Sequence, residues 1–279
     1  MTSAPELIVT QDGPVAHLRL NRPDKRNSLN TAFWRDFPAA LRALDATGSV
    51  RAAVLSGAGP SFCAGMDVAV FSESSSFRLD SGRARDTFIS MGRALLVTVA
   101  AIEQVRFPVI AAIHGACVGG GMEIAAACDL RYATADAQFR IEEINIGIMA
   151  DLGNLQRVPR LLPQGIAREL AFTGATLTGA RAAAFGFVNE ALADADAVLA
   201  RALETARLIA TKSPLAVRAS KDALNYSRDH GIADSLDRGM VMNAAVLDAA
   251  DLAESFRARS ERRQPVYRDL APLPGAGEA

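Results

Sequence analysis

Val109-Ile110-Ala111-Ala112-Ile113-His114-Gly115-Ala116-Cys117-Val118-Gly119-Gly120-Gly121-Met122-Glu123-Ile124-Ala125-Ala126-Ala127-Cys128 is the stretch from which the fold is read. Pro108 precedes five apolar residues without polar alternation, the pattern of a strand covered on both faces. The run passes through a glycine-rich turn into a short alanine-rich helix, from about Gly120 to Cys128. Its length approaches that of a membrane-spanning helix, but His114, Glu123 and three consecutive glycines make it protein core.

Upstream, residues 6–10 and 14–20 alternate around Asp12-Gly13 and predict a hairpin. The polar, Pro-broken run Asn21–Asn27 leads to a helix from Thr31 to about Ala46, and Arg51–Leu55 reads as a strand. A loop then runs through Asp67, a serine-rich stretch from Phe71 to Asp80 is expected to be mobile, and a helix spans about Arg83–Val105. Downstream, Leu130–Ala133 and Gln138–Ile141 read as strands, and Leu152–Leu161 and Gln164–Phe172 as helices, the latter opened by Pro163. Alternating strands and helices predict α/β layering. From Gly179 the pattern is helical: Ala180–Phe185, Asp194–Thr211, Pro214–Arg228, Ile232–Leu247 and Ala249–Arg259, with only Val188 resembling a strand. The expected organisation is a core over 1–192, a helical region over 193–264 and a flexible tail over 265–279.

The chain has 279 residues, half of them apolar, enough to bury a large core. Thirty Lys and Arg balance 31 Asp and Glu to a net charge of -1, which provides no field for nucleic acid or an anionic membrane. Neither is an expected partner. Cys63, Cys117 and Cys128 lie in no CxxC pattern and only three histidines are present, so no metal site is expected and the thiols read as reduced, in a cytoplasmic setting. The N-terminal residues lack a basic stretch followed by an apolar one, so they do not read as a secretory signal.

Two loops offer backbone N–H groups to chemistry. Ala64-Gly65-Met66-Asp67 is one; Val118-Gly119-Gly120-Gly121, which feeds a helix, is the other. Glycines at a helix start let a substrate approach the main chain and aim free N–H groups at a developing negative oxygen, although close helix packing would need the same residues. No dinucleotide fingerprint, Walker motif or GxSxG elbow is present. Three carboxylates follow in order. Glu123 sits among apolar residues, where an acid must be used or satisfied by helix N-terminal donors. Glu143 stands beside Glu142, and alternation would send one inward unless both are solvated. Asp151 could be functional or could cap the next helix. His114 reads as a hydrogen-bonded structural residue and His17 as a strand surface residue.

Leu20-Asn21-Arg22-Pro23, Ser61-Phe62-Cys63-Ala64-Gly65-Met66-Asp67, Pro108 to Gly115, Gly119-Gly120-Gly121-Met122-Glu123 and Ala127-Cys128-Asp129-Leu130-Arg131 together resemble the crotonase, or enoyl-CoA hydratase/isomerase, superfamily, over roughly residues 6–262. The resemblance implies a ClpP-like α/β spiral of ββα repeats with a helical C-terminal region that builds trimers, sometimes paired into hexamers. It implies acyl-CoA thioesters as substrates and no cofactor.

Residue by residue, the resemblance makes the Met66 and Gly120 N–H groups the oxyanion donors and the Ala64 carbonyl the acceptor for the adenine amino group. It also places Lys25, Arg26 and Asp67 at the CoA-binding region. Glu123 and Glu143 match the spacing and identity of the hydratase glutamates. Asp151, eight residues after Glu143, and the run Tyr226-Ser227-Arg228-Asp229-His230 resemble delta(3,5),delta(2,4)-dienoyl-CoA isomerase instead. That isomerase usually has Asp where this chain has Glu123. The implied reaction is therefore conversion of a 3,5-dienoyl-CoA to a 2,4-dienoyl-CoA in fatty-acid beta-oxidation, with hydration of a 2-enoyl-CoA by Glu123 and Glu143 as the alternative, and a non-catalytic acyl-CoA-binding role behind both. The region Phe71–Arg85 is expected to shape the acyl pocket.

Overall fold

Leu7–Asp12 (β1) and Val15–Leu20 (β2) form the expected hairpin, paired antiparallel from Leu7 opposite Leu20 to Asp12 opposite Val15, with Gly13 in the left-handed region at φ 54°. The computed structural model describes residues 5–73 and 79–274. Residues 74–78 of the serine-rich stretch and 275–279 of the tail lie outside them. After β2 come α1 (Thr31–Ala46), β3 (Ala52–Gly57), α2 (Val68–Glu73), α3 (Gly82–Gln104), β4 (Val109–Ile113), β5 (Ala116–Val118), α4 (Gly120–Ala127), β6 (Leu130–Thr134) and β7 (Gln138–Arg140). The chain continues with α5 (Asn154–Leu161), α6 (Gln164–Thr173), β8 (Leu177–Thr178), α7 (Gly179–Ala184), β9 (Glu190–Leu192), α8 (Ala195–Ala210), α9 (Pro214–Asp229), α10 (Ile232–Val246) and α11 (Ala249–Ser260).

The strands divide into a six-stranded sheet, β1-β2-β3-β4-β6-β9, and a three-stranded sheet, β5-β7-β8. The division follows the chain: β4 enters the large sheet, β5 the small one and α4 closes the unit, and β6 and β7 repeat the step. From β2 onward the large sheet is parallel and both its faces are covered, which explains the unbroken apolar runs. On β3 and β4, Ala53, Leu55, Val109, Ala111 and Ile113 point into the main core. Ala52, Val54, Ile110 and Ala112 point the other way, into a second core closed by Val198, Ala202 and Ala206 of α8.

Besides the short elements α2 and β5, three features differ from the sequence reading here. The strand near Val188 forms instead at Glu190–Leu192, where it pairs with Tyr132–Thr134. His17 is half-buried, with Nε2 2.8 Å from the Ser56 hydroxyl, and burial lowers its pKa. The segment from Pro265, expected to be loose, is docked as far as Leu273. The Leu270 N–H donates to Gly48 O, the Leu273 N–H donates to Ala46 O, and Arg51 holds both Asp269 and Tyr267 O. A bare composition of Pro and Gly carries no information about such long-range acceptors.

Candidate active site

The loop after β3 is held by groups far away in sequence. Asn27, buried, donates from Nδ2 to the carbonyls of Ala58 (2.9 Å) and Ser61 (2.7 Å), and His114 Nε2 lies 2.8 Å from Gly59 O, in the structural role expected of it. The backbone of Cys63 then forms a β-bridge with that of Cys117 in β5, both thiols being free, and Met66 forms one with Leu29. In the second bridge the Leu29 N–H donates to Gly65 O and the Asp67 N–H to Leu29 O. The Met66 N–H therefore faces away from that contact, and among the described residues it has no protein acceptor; the Gly120 N–H, at the open first turn of α4, has none either.

The two donors are neighbours. A Cβ built on Gly65 would lie 3.6 Å from the Gly120 nitrogen, and one built on Gly120 3.8 Å from the Met66 nitrogen. Glycine is required at Gly65 by φ 93° and at Gly119 by φ 52°, where a Cβ would also press on Glu143 Oε1 at 3.2 Å.

The three carboxylates meet beside these donors. Glu123, 1% exposed, stands in the first turn of α4, and its Oε1 accepts the Leu152 N–H at 3.0 Å. It also takes a hydrogen bond from the Asn154 N–H, so among the described residues it satisfies one N-terminal donor of α5 and none of its own helix. Burial and the charge of Glu143 push its pKa up to about 8. Glu143 opens a short 3-10 turn, Glu143–Ile146, where strand alternation no longer applies. Its Oε2 is buried without a hydrogen-bond partner, and burial, with Asp151 and Glu142 adding charge, raises its pKa. Asp151 is the most open of the three, with its pKa also raised by burial. It does not cap α5: the N-cap there is Gly153, with no side-chain hydrogen bond.

The residues assigned to CoA lie on either side of Met66 in the same loop and on the turn that adjoins it. Lys25 and Arg26 are exposed on a 3-10 turn, Pro23–Lys25, and the Arg26 carbonyl accepts the Ala64 N–H at 2.9 Å, which joins the turn to Ala64. Asp67 is already engaged. It pairs with Arg22 at 2.9 Å and accepts the Ala69 N–H, contacts that keep its carboxyl below the usual range. Among the described residues, no group of three or more His, Cys, Asp and Glu is placed to hold a metal ion. No helix there is long and apolar enough to cross a membrane.

Sequence reasoning assigned no role to Asn27, Glu103, Asn154 or Arg157. Asn154 is fully buried, with Nδ2 3.4 Å from Gly119 O, the carbonyl of the peptide that supplies the Gly120 N–H. Arg157 pairs with Glu103, 54 residues earlier. The available signal was local: Gly153 stands one helical turn before Arg157.

Residues 10–270 match the family described as enoyl-CoA hydratase/isomerase. A peroxisomal delta(3,5)-delta(2,4)-dienoyl-CoA isomerase of Arabidopsis thaliana is 39% identical over 262 residues, 93% of this chain and 94% of its own. The mitochondrial delta(3,5)-delta(2,4)-dienoyl-CoA isomerase of Mus musculus is 39% identical over 254 residues, 89% of this chain and 77% of its own. A crystal structure of enoyl-CoA hydratase from Mycobacterium tuberculosis H37Rv superposes with a TM-score of 0.82 at 33% identity, covering 95% of this chain and 99% of that one. The two isomerases are named for peroxisome and mitochondrion, so they lend no support to a cytoplasmic location. Sequence and fold agree: this chain is an enzyme of the enoyl-CoA hydratase/isomerase, or crotonase, family.

Proposed function

We propose that the protein converts a 3,5-dienoyl-CoA to a 2,4-dienoyl-CoA. The observation that carries this reading is Asp151, a third carboxylate that caps no helix and raises the pKa values of both Glu123 and Glu143. Two proton positions far apart on a conjugated chain need two separate groups. Asp151, the more open acid, takes the proton from C2 as an ionised base, and Glu143, whose unpartnered Oε2 suits a neutral carboxyl, delivers one at C6. Electrons move from the C2–H bond through the dienolate to form the C2=C3 and C4=C5 bonds. Solvent exchange between turnovers returns the proton that Asp151 gains and Glu143 loses. The Met66 and Gly120 N–H groups hold the thioester oxygen as charge builds on it, each worth about 3–4 kcal/mol in a transition state. Glu123 supports the site from behind.

In this reading Lys25, Arg26 and the Ala64 carbonyl face the CoA moiety, the thioester is the substrate and no cofactor takes part. Residues 1–192 carry the site, and 193–264 a surface for self-association into trimers or pairs of trimers. Glu123 and Glu143 also favour a second reading, hydration of a 2-enoyl-CoA, because Glu123 is fixed by two N–H groups and can hold a water.

A paired spectrophotometric assay separates the two. Expected is faster formation of the conjugated diene from a 3,5-dienoyl-CoA than loss of the enoyl band from a 2-enoyl-CoA, with diene formation abolished and the fold kept in Asp151→Asn. Fast hydration that survives this substitution would make the protein a hydratase.

A further inference from the structure

Arg157 lies on α5 with its guanidinium turned back toward the turn that carries Asp151. Its Nε and Nη2 donate to the two carboxylate oxygens of Glu103 on α3 at 2.9 and 2.8 Å, a bidentate pair, and its Nη1 donates to Leu152 O at 3.4 Å. Both side chains are largely buried, at 16% and 14% exposure. Room for the guanidinium is made by Gly153, at φ 127°, where a Cβ would come 1.8 Å from Arg157 Nη1. The turn is thus held at two points: the Leu152 carbonyl by Arg157 and the Leu152 N–H by Glu123. Glu103 is itself fixed from behind by α9, through Arg228 and through Asn225 Nδ2 on its carbonyl.

We propose that Arg157 and Glu103 are positioning residues, which act through the Leu152 peptide to set where Asp151 and Glu123 stand relative to Glu143. Neither touches the substrate in this scheme. The pair rests on the isomerase reading only for the role of Asp151, since Glu123 hangs on the same turn. A bidentate ion pair fixes orientation as well as distance, and a small misplacement of a catalytic group is costly in the chemical step while leaving substrate binding intact.

The test is steady-state kinetics of Arg157→Lys and Glu103→Gln with a 3,5-dienoyl-CoA, beside circular dichroism and thermal melting. Lysine keeps the charge of Arg157 and loses the fork, whereas glutamine keeps the shape of Glu103 and provides a second variant should the first fail to fold. Expected is a fall in kcat of at least about tenfold in each, KM within about threefold of wild type, and a double variant no worse than the poorer single. A folded variant with kcat within about twofold of wild type overturns the inference, and so does a loss that only follows the unfolded fraction. Should the wild-type protein form no diene, the isomerase reading falls by itself. The same variants are then measured in hydration of a 2-enoyl-CoA, where unchanged kcat overturns the positioning role as well.

Discussion

Glu123 is an ionisable side chain that the fold has withdrawn from water. Its pKa rises from 4.5 to about 8 because burial and the neighbouring Glu143 penalise the charged form more than the Leu152 and Asn154 N–H groups relieve it. Between those two values the unfolded chain has released the proton while the folded chain keeps it, so stability falls as pH rises through this window, by about 1.4 kcal/mol per unit at most. Glu123→Gln retains an acceptor for the Leu152 N–H and carries no proton to lose. Chemical denaturation from pH 5 to 8 is expected to show a stability that declines more steeply in wild type than in the variant; parallel curves would place the titration elsewhere. Gly121 makes a different demand, since a Cβ there would meet Cys63 O at 2.7 Å and Cys63 Sγ at 3.0 Å. Gly121→Ala is expected to lower stability by about 1–3 kcal/mol, measured by thermal melting.

At the scale of elements, α1 begins at Thr31 because Asn30 Oδ1 accepts the Phe33 N–H at 3.0 Å, and Asn30→Ala is expected to cost about 1 kcal/mol in the melting transition. Such local signals are why α1, α4 and β4 were legible in the sequence: a cap, a glycine turn and an uninterrupted apolar run each act within a few residues. β5 was not, because three residues are too few to show alternation, and its partners Gln138–Arg140 lie far along the chain. The 3-10 turn at Glu143 was missed for the same reason, yet it decides that Glu143 faces the cluster. The acids and glycines of the candidate site could be named from residue type and spacing. The clamp of Arg157 on Glu103 could not, because Gly153 hints only at room for Arg157, whereas the partner depends on how α3 and α5 pack.

For the whole molecule, the C-terminal helices leave apolar surface uncovered. Ile232, Leu236 and Met240 follow one another at four-residue spacing along α10, each at least two-thirds exposed. Sedimentation is expected to find trimers or hexamers, and Leu236→Asp with Met240→Asp to shift them toward monomers; a wild-type monomer would leave that stripe without a purpose in self-association. The other end of the chain is tied inward. Arg51 stands at the entrance to β3, near the beginning of the large sheet, yet its guanidinium is occupied by Ala210 O, Tyr267 O and Asp269, which come 159, 216 and 218 residues later. During synthesis this corner therefore waits until more than 200 further residues have followed Arg51, since the segment that closes it comes after every strand of the large sheet. The sheet can form beforehand, but the seal over Gly48 and Arg51 closes only after the helices that follow the sheet have been made.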